Sequence, residues 1–368
     1  MIRLSVPDVG KEEIEEVSKV LDSKYLVQGE KVHEFESMVS DFLNIKNCIA
    51  VSSGTAALHL ALLSSGIKAG DEVIVPDFTF PATANVCEIV GAQTKFVDIK
   101  PDSFCIDEEK IEESITQNTK AIVPVHEFGQ SADMDSIMAL AEKYKLKVIE
   151  DAACSLGSEY KGRMAGTIGD IGCFSFHPRK AVTTGEGGII ATRDDELAEK
   201  IKMLRNHGIR YVNGKTEFAA AGFNYRMTDI QGALGVAQMK KLKNIINYRR
   251  VIAMEYEKLL KGNENLILPQ EKSYGKHIYQ TYHILLNKGI NRDSVKEKLR
   301  QKGIESSLGA YAVHQQRYYK EKYNYESRMF VNSLSAYNHG LAIPMHCELD
   351  PQKVEFICSS LEAILESF

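Results

Sequence analysis

GCFSFHPRKAVTTGEGGIIAT (172–192) is the stretch from which the fold of this chain is read. An apolar run ends at Ser175–Phe176–His177, Pro178 and Arg179 lead into Lys180, and a turn closes on Gly185–Glu186–Gly187–Gly188 before a second apolar run. A lysine at the end of a strand, inside a Gly-rich turn, can be held in a cleft; the plainer alternative is a solvated surface lysine. Working outward, the same short apolar texture recurs in CIAVS (48–52), DEVIVP (71–76), TKFVDI (94–99), KAIVPVH (120–126), LKVIED (146–151), DIGCFSF (170–176) and GGIIATR (187–193). Amphipathic segments such as TAALHLALLSSG (55–66) and MDSIMALAEKY (134–144) lie between them. Strands alternating with helices of this length predict an α/β fold with a mainly parallel seven-stranded sheet covered on both faces.

Two further signals sit at predicted strand ends. Glu150–Asp151 closes LKVIED, and ligands of open α/β sheets collect outside the carboxyl ends of the strands. A helix N-cap is the bland reading of such an aspartate. SSGTAALHLAL (52–62) runs from strand through a small-residue turn into a helix, whose first free N–H groups favour an anion such as phosphate. Together, an anion site, an acid at a strand end and Lys180 form the set that pyridoxal phosphate requires. The helix start holds the phosphate, the carboxylate keeps the pyridine nitrogen protonated, and the lysine forms the Schiff base and moves the proton.

Around residue 237 the texture changes. AQMKKLKNIINYRRVIAMEYEKLLKG (237–262) reads as a long helix, followed by a strand-like YQTYHILL (279–286) and a helical DSVKEKLRQKG. Residues 1–240 are thus expected to form an N-terminal arm and a large domain, and 241–368 a linking helix and a smaller α+β domain. Within the arm, two helical pieces are expected around Gly29. The chain of 368 residues carries 45 basic and 50 acidic residues, which argues against a general nucleic-acid binder. No apolar run approaches a membrane span, and the first residues lack a signal-peptide core. Seven cysteines with no CxxC argue against a disulfide framework or a zinc site and suit a reducing cytoplasm. A nicotinamide-dependent oxidoreductase is disfavoured because no GxGxxG follows an early strand.

In these stretches the chain resembles the DegT/DnrJ/EryC1/StrS sugar aminotransferases, on the aspartate aminotransferase-like type I fold. The matching motifs run in order from SSGTAALHLAL through GDEVIVPDFTFPATAN, IVPVHEFGQSADMD, VIEDAACSLGSEYKGR and GCFSFHPRKAVTTGEGG to GFNYRMTDIQGALGVAQ. The resemblance implies that Lys180 is the Schiff-base lysine and Asp151 the partner of the pyridine nitrogen. It implies that Phe80 stacks on the ring, with a core aromatic as the alternative, and that Gly54, Thr55 and Ser175 hold the phosphate. Asn224 would reach the phosphate from the partner subunit of a homodimer with shared active sites. Cys154 stands where relatives have Gln or His against the phenolic oxygen, and a thiol is a weaker partner.

The implied activity is a ping-pong transamination through pyridoxamine phosphate. The donor would be L-glutamate and the acceptor a nucleotide-linked keto-deoxysugar for surface polysaccharide or glycoconjugate synthesis. A small phosphorylated ketone or a keto-inositol is the alternative, and a regulatory pyridoxal phosphate-binding protein a remote one. His314, His207 and Tyr311 are the candidate substrate contacts, with His314 put forward. Relatives that remove a hydroxyl carry His in place of the lysine, so Lys180 favours the aminotransferase branch.

Overall fold

The computed structural model describes residues 1–368. Its central sheet has seven strands: β1 (Asn47–Val51), β2 (Glu72–Pro76), β3 (Gln93–Val97), β4 (Thr119–Ile122), β5 (Lys147–Asp151), β6 (Ile171–Ser175) and β7 (Gly188–Thr192). These are the seven apolar runs expected from the sequence, most trimmed by a residue or two at their ends. Their spatial order is β1-β7-β6-β5-β4-β2-β3. Only β7 runs antiparallel to its neighbours β1 and β6, while the β6–β5, β5–β4, β4–β2 and β2–β3 pairs are parallel.

The parallel strands are apolar almost throughout because helices cover both faces. On one face, Leu58, Leu60, Ala61 and Leu62 of the helix Gly54–Ser64 pack with Ile49, Ile149, Ile171 and Ile190. On the other, Val32, Phe35 and Val39 of the helix Glu30–Leu43 join Phe174, Phe176 and Ile189. One consequence positions everything that follows: β1, β2, β4, β5 and β6 all point their carboxyl ends to the same edge of the sheet.

The helix Asp229–Leu260 is continuous through residue 240, where the domain division was expected. Its first half places Val236, Met239, Leu242, Ile245 and Ile246 in the core of the large sheet. Its second half places Ile252, Ala253, Tyr256 and Leu260 in a separate core, with the antiparallel strands Tyr282–Leu286 and Gly340–Ile343 and the helix Pro351–Leu365. The start of the chain joins that second core region, since Ile2 bridges Ile304 and the Met345 N–H donates to the Leu4 carbonyl at 3.0 Å. No helix is long and apolar enough to cross a membrane.

Candidate active site

A cavity of about 550 Å³ opens at the carboxyl edge of the sheet, between it and residues such as Ala310, Ile343 and Met345 of the C-terminal part. Each expected group reaches it from its own strand end. Asp151 is the last residue of β5, Ser175 the last of β6, and Lys180 follows five residues later in the turn before β7.

β5 alternates its two acids between opposite environments. Glu150 accepts backbone N–H bonds from Gly166, Ile168 and Gly169 at 2.6–2.7 Å and lies 2.8 Å from His126 Nε2. The Ala132 N–H donates to His126 Nδ1, so Nε2 carries the proton and donates to Glu150. Burial opposes the Glu150 charge, but these donors outweigh it and hold its pKa below the usual glutamate value. Glu150 therefore ties down the 166–169 loop. Asp151 faces the cavity. Its Oδ2 accepts from Thr83 Oγ1 at 2.7 Å and its Oδ1 from the Ala153 N–H at 3.1 Å. Burial pushes its pKa upward against those two hydrogen bonds, and each oxygen keeps an acceptor site for a further donor.

Lys180 Nζ donates to Cys154 Sγ at 3.0 Å. Burial works against the ammonium, but the hydrogen bond to Cys154 and the nearby Asp151 carboxylate oppose it, and its pKa lies above the ordinary lysine value. Burial also pushes the Cys154 thiol up, so at neutral pH the sulfur is an uncharged, weak acceptor. The neutralising charge beside the lysine is therefore carboxylate.

The third component is the helix beginning at Gly54. Ser53 caps it, accepting the Ala56 N–H at 3.0 Å and leaving the N–H groups of Gly54 and Thr55 ahead of any intrahelical acceptor. Gly54 is there because Ser175 comes so close. A Cβ at position 54 would lie 2.8 Å from the Ser175 Cβ. The close approach brings the helix start and the Ser175 side chain to one wall of the cavity. Phe80, 66% exposed, also lines it and meets the Tyr311 ring edge-on at 6.4 Å between centroids.

Three expected residues lie outside this cavity. His314 does not face the cavity. It is buried, its own N–H and its Nδ1 engage Asp77 at 2.8 and 2.6 Å, and its Nε2 is 2.7 Å from Gln315 Nε2. With both ring nitrogens engaged, it joins the chain beyond β2 to segment 311–316, and no ring nitrogen is left for a substrate. His207 is exposed on the left-handed turn before Gly208. Asn224 is exposed, bridged to Asn206 and outside this chain's own cavity.

Glu127 and Thr83 also line the cavity and were not singled out from the sequence. Of the two, Glu127 is the one with a sequence signal. It follows β4 in VHEFG, and strand-end reasoning of the kind applied to Asp151 would have found it.

The cavity has what pyridoxal phosphate needs. There is an amine, a buried carboxylate with open acceptor sites, and a helix start whose glycine cradle a Cβ would fill. The DegT/DnrJ/EryC1/StrS aminotransferase family model matches residues 7–362. The chain is 37% identical to the spore coat polysaccharide biosynthesis protein SpsC of Bacillus subtilis, over 98% of this chain and 96% of that protein. It is also 37% identical to the GDP-perosamine synthase of Caulobacter vibrioides, over 99% of this chain and 98% of that one. Among solved structures, the pyridoxal phosphate form of the putative sugar aminotransferase Spr1654 from Streptococcus pneumoniae superposes with a TM-score of 0.94. That match has 27% identity and covers 99% of this chain and 98% of that one.

Proposed function

We propose, from the premise that this chain belongs to the DegT/DnrJ/EryC1/StrS aminotransferase family, that it transfers an amino group from L-glutamate to a nucleotide-linked keto-deoxysugar destined for a surface polysaccharide or glycoconjugate. Membership makes it a pyridoxal phosphate-dependent transaminase. The observation that carries the reading is the meeting of Lys180, Asp151, Ser175 and the Gly54 helix start in one cavity. Support for the acceptor class comes from relatives named for nucleotide-sugar and polysaccharide synthesis.

In this reading the chain's own groups divide the work. When bound, pyridoxal phosphate supplies an electron sink that makes loss of the Cα proton of an amino acid accessible. Gly54, Thr55 and Ser175 hold its phosphate. Asp151, kept in place by Thr83 and Ala153, sets a carboxylate against the ring nitrogen. Lys180 anchors the cofactor and, once released, holds the mobile proton at Nζ. Phe80 would cover the ring, and the burial of Asp151 strengthens its charge interactions.

We further propose a homodimer in which Asn224 completes the partner's phosphate site, consistent with its exposure away from its own cavity. We place the enzyme in the cytoplasm, where its seven free cysteines stay reduced.

The test is to load the protein with pyridoxamine phosphate and offer separate keto compounds: nucleotide-linked keto-deoxysugars, small phosphorylated ketones and keto-inositols. A nucleotide-linked keto-sugar is expected to restore the pyridoxal form spectroscopically. Restoration by the phosphoketone or inositol alone would overturn the acceptor assignment while leaving the transaminase intact.

A further inference from the structure

Glu127 is 4% exposed, lines the same cavity as Lys180, Asp151 and Cys154, and has an Oε2 with no hydrogen-bond partner. Its position is built, not incidental. The backbone beside it is locked to β5: the His126 N–H donates to the Asp151 carbonyl at 3.0 Å, and the Asp151 N–H to Pro124 at 2.9 Å. Ser155 Oγ donates to the His126 carbonyl at 3.2 Å and Ser158 Oγ to that of Gly129 at 2.7 Å. Immediately after Glu127 the chain turns through two left-handed residues, Phe128 (φ 54°) and Gly129 (φ 97°). For a bulky residue such as Phe128 that conformation is costly and persists only where the surroundings enforce it.

Charge balance says what this carboxyl is. Of the charged groups on the cavity wall, Arg179 and Glu186 are exposed to solvent and of opposite sign, and His177 is half-buried. The inner wall holds one ammonium, Lys180, for two buried carboxyl groups. Asp151 accepts two hydrogen bonds, which stabilise its anion. The Glu127 carboxyl has only the Phe128 backbone N–H, and its Oε2 accepts nothing, so the proton belongs there.

We propose that Glu127 is a further proton-holding residue of the cofactor site, a neutral carboxylic acid that donates a hydrogen bond to an acceptor oxygen of the bound cofactor. Burial, with Asp151 adding to it and Lys180 opposing, pushes its pKa up to about 8, in line with that neutral state. Cys154 and Lys180 face it across the cavity along with Asp151. Behind it, a chamber of about 10 Å³ is lined by Asp102, His277 and His283, and Cys105 lies nearby. Burial holds both histidines down near 3 and Cys105 up near 12, so these three keep one protonation state between pH 5 and 10.

The proposal rests on reading this cavity as the pyridoxal phosphate site, and two measurements separate the two claims. Infrared difference spectra of cofactor-free wild type against Glu127→Gln should contain a protonated-carboxyl band that disappears with a midpoint near pH 8. A band already lost by pH 6 overturns the proposal. Pyridoxal phosphate affinity, measured by fluorescence at pH 7, should fall about tenfold in Glu127→Leu, the equivalent of one lost hydrogen bond. In Glu127→Gln, whose amide still donates, it should stay within about threefold. Above pH 8 the wild type should lose affinity while Glu127→Gln does not. Leucine binding as tightly as wild type, or identical pH profiles, overturns the role of Glu127 alone. Failure of the wild type itself to bind would overturn the site.

Discussion

Among the residues lining the cavity, Lys180 is the one primary amine. Lys180→Ala is therefore expected to abolish transamination, and borohydride treatment of the pyridoxal phosphate-incubated variant should leave no covalent adduct by mass spectrometry. An adduct that survives would move the chemistry to another residue. Asp151→Asn keeps a side chain of the same shape against Thr83 and Ala153 but removes the charge. A loss in kcat of about a thousandfold is expected for one preorganised electrostatic partner, with cofactor still bound by absorbance. Glu127 bears on stability as well. Its folded pKa, raised to about 8, exceeds the ordinary glutamate value, so the folded cofactor-free protein keeps a proton that the unfolded chain releases. Stability therefore falls as pH rises from the unfolded value toward 8. Glu127→Gln removes that slope, and its melting temperature should gain on the wild type across this window and then level off. Parallel melting curves would place the Glu127 ionisation elsewhere.

At the scale of elements, the N-terminal arm is held by a helix almost two hundred residues away in sequence. Asp229, at the first turn of the helix Asp229–Leu260, accepts the N–H groups of Gly29 and Val32 at 2.8 and 3.0 Å and of Lys31 at 3.3 Å. It thereby caps the helix Glu30–Leu43, whose own N-cap is Gly29 and has no side chain to do so. Asp229→Ala should cost about 2 kcal/mol in urea unfolding with an unchanged m-value, since one buried and two part-buried donors lose a carboxylate acceptor. A cost within experimental error would show that water replaces it freely. Helix periodicity and Gly29 announced the two arm helices. Nothing near them announced that their cap would come from Asp229, because side-chain capping across such a separation exists only once the sheet has brought both helices together.

For the whole molecule, the proposed shared site makes a complementation test decisive. Mixed Lys180→Ala and Asn224→Ala subunits would form hybrid dimers in which one site has both native residues and the other neither. Activity above that of either variant alone is expected on mixing, read as turnover after refolding the two chains together. No recovery would mean that Asn224 acts within its own chain or not at all.

Strand and helix placement, the strand-end lysine and aspartate, and the Gly54 turn were all readable from local pattern, because periodicity and backbone chemistry depend on near neighbours. The resemblance had pointed to Asp151, but only the three-dimensional arrangement shows that it opens on the cavity while Glu150 turns to the 166–169 loop, since the two occupy opposite faces of β5. It also removed His314 from the cavity, whose ring nitrogens are engaged by Asp77, far off in sequence, and by Gln315. And it gave Glu127, a residue that strand-end position could have flagged, its significance, which depends on burial and on the charges around it, quantities that no linear spacing encodes.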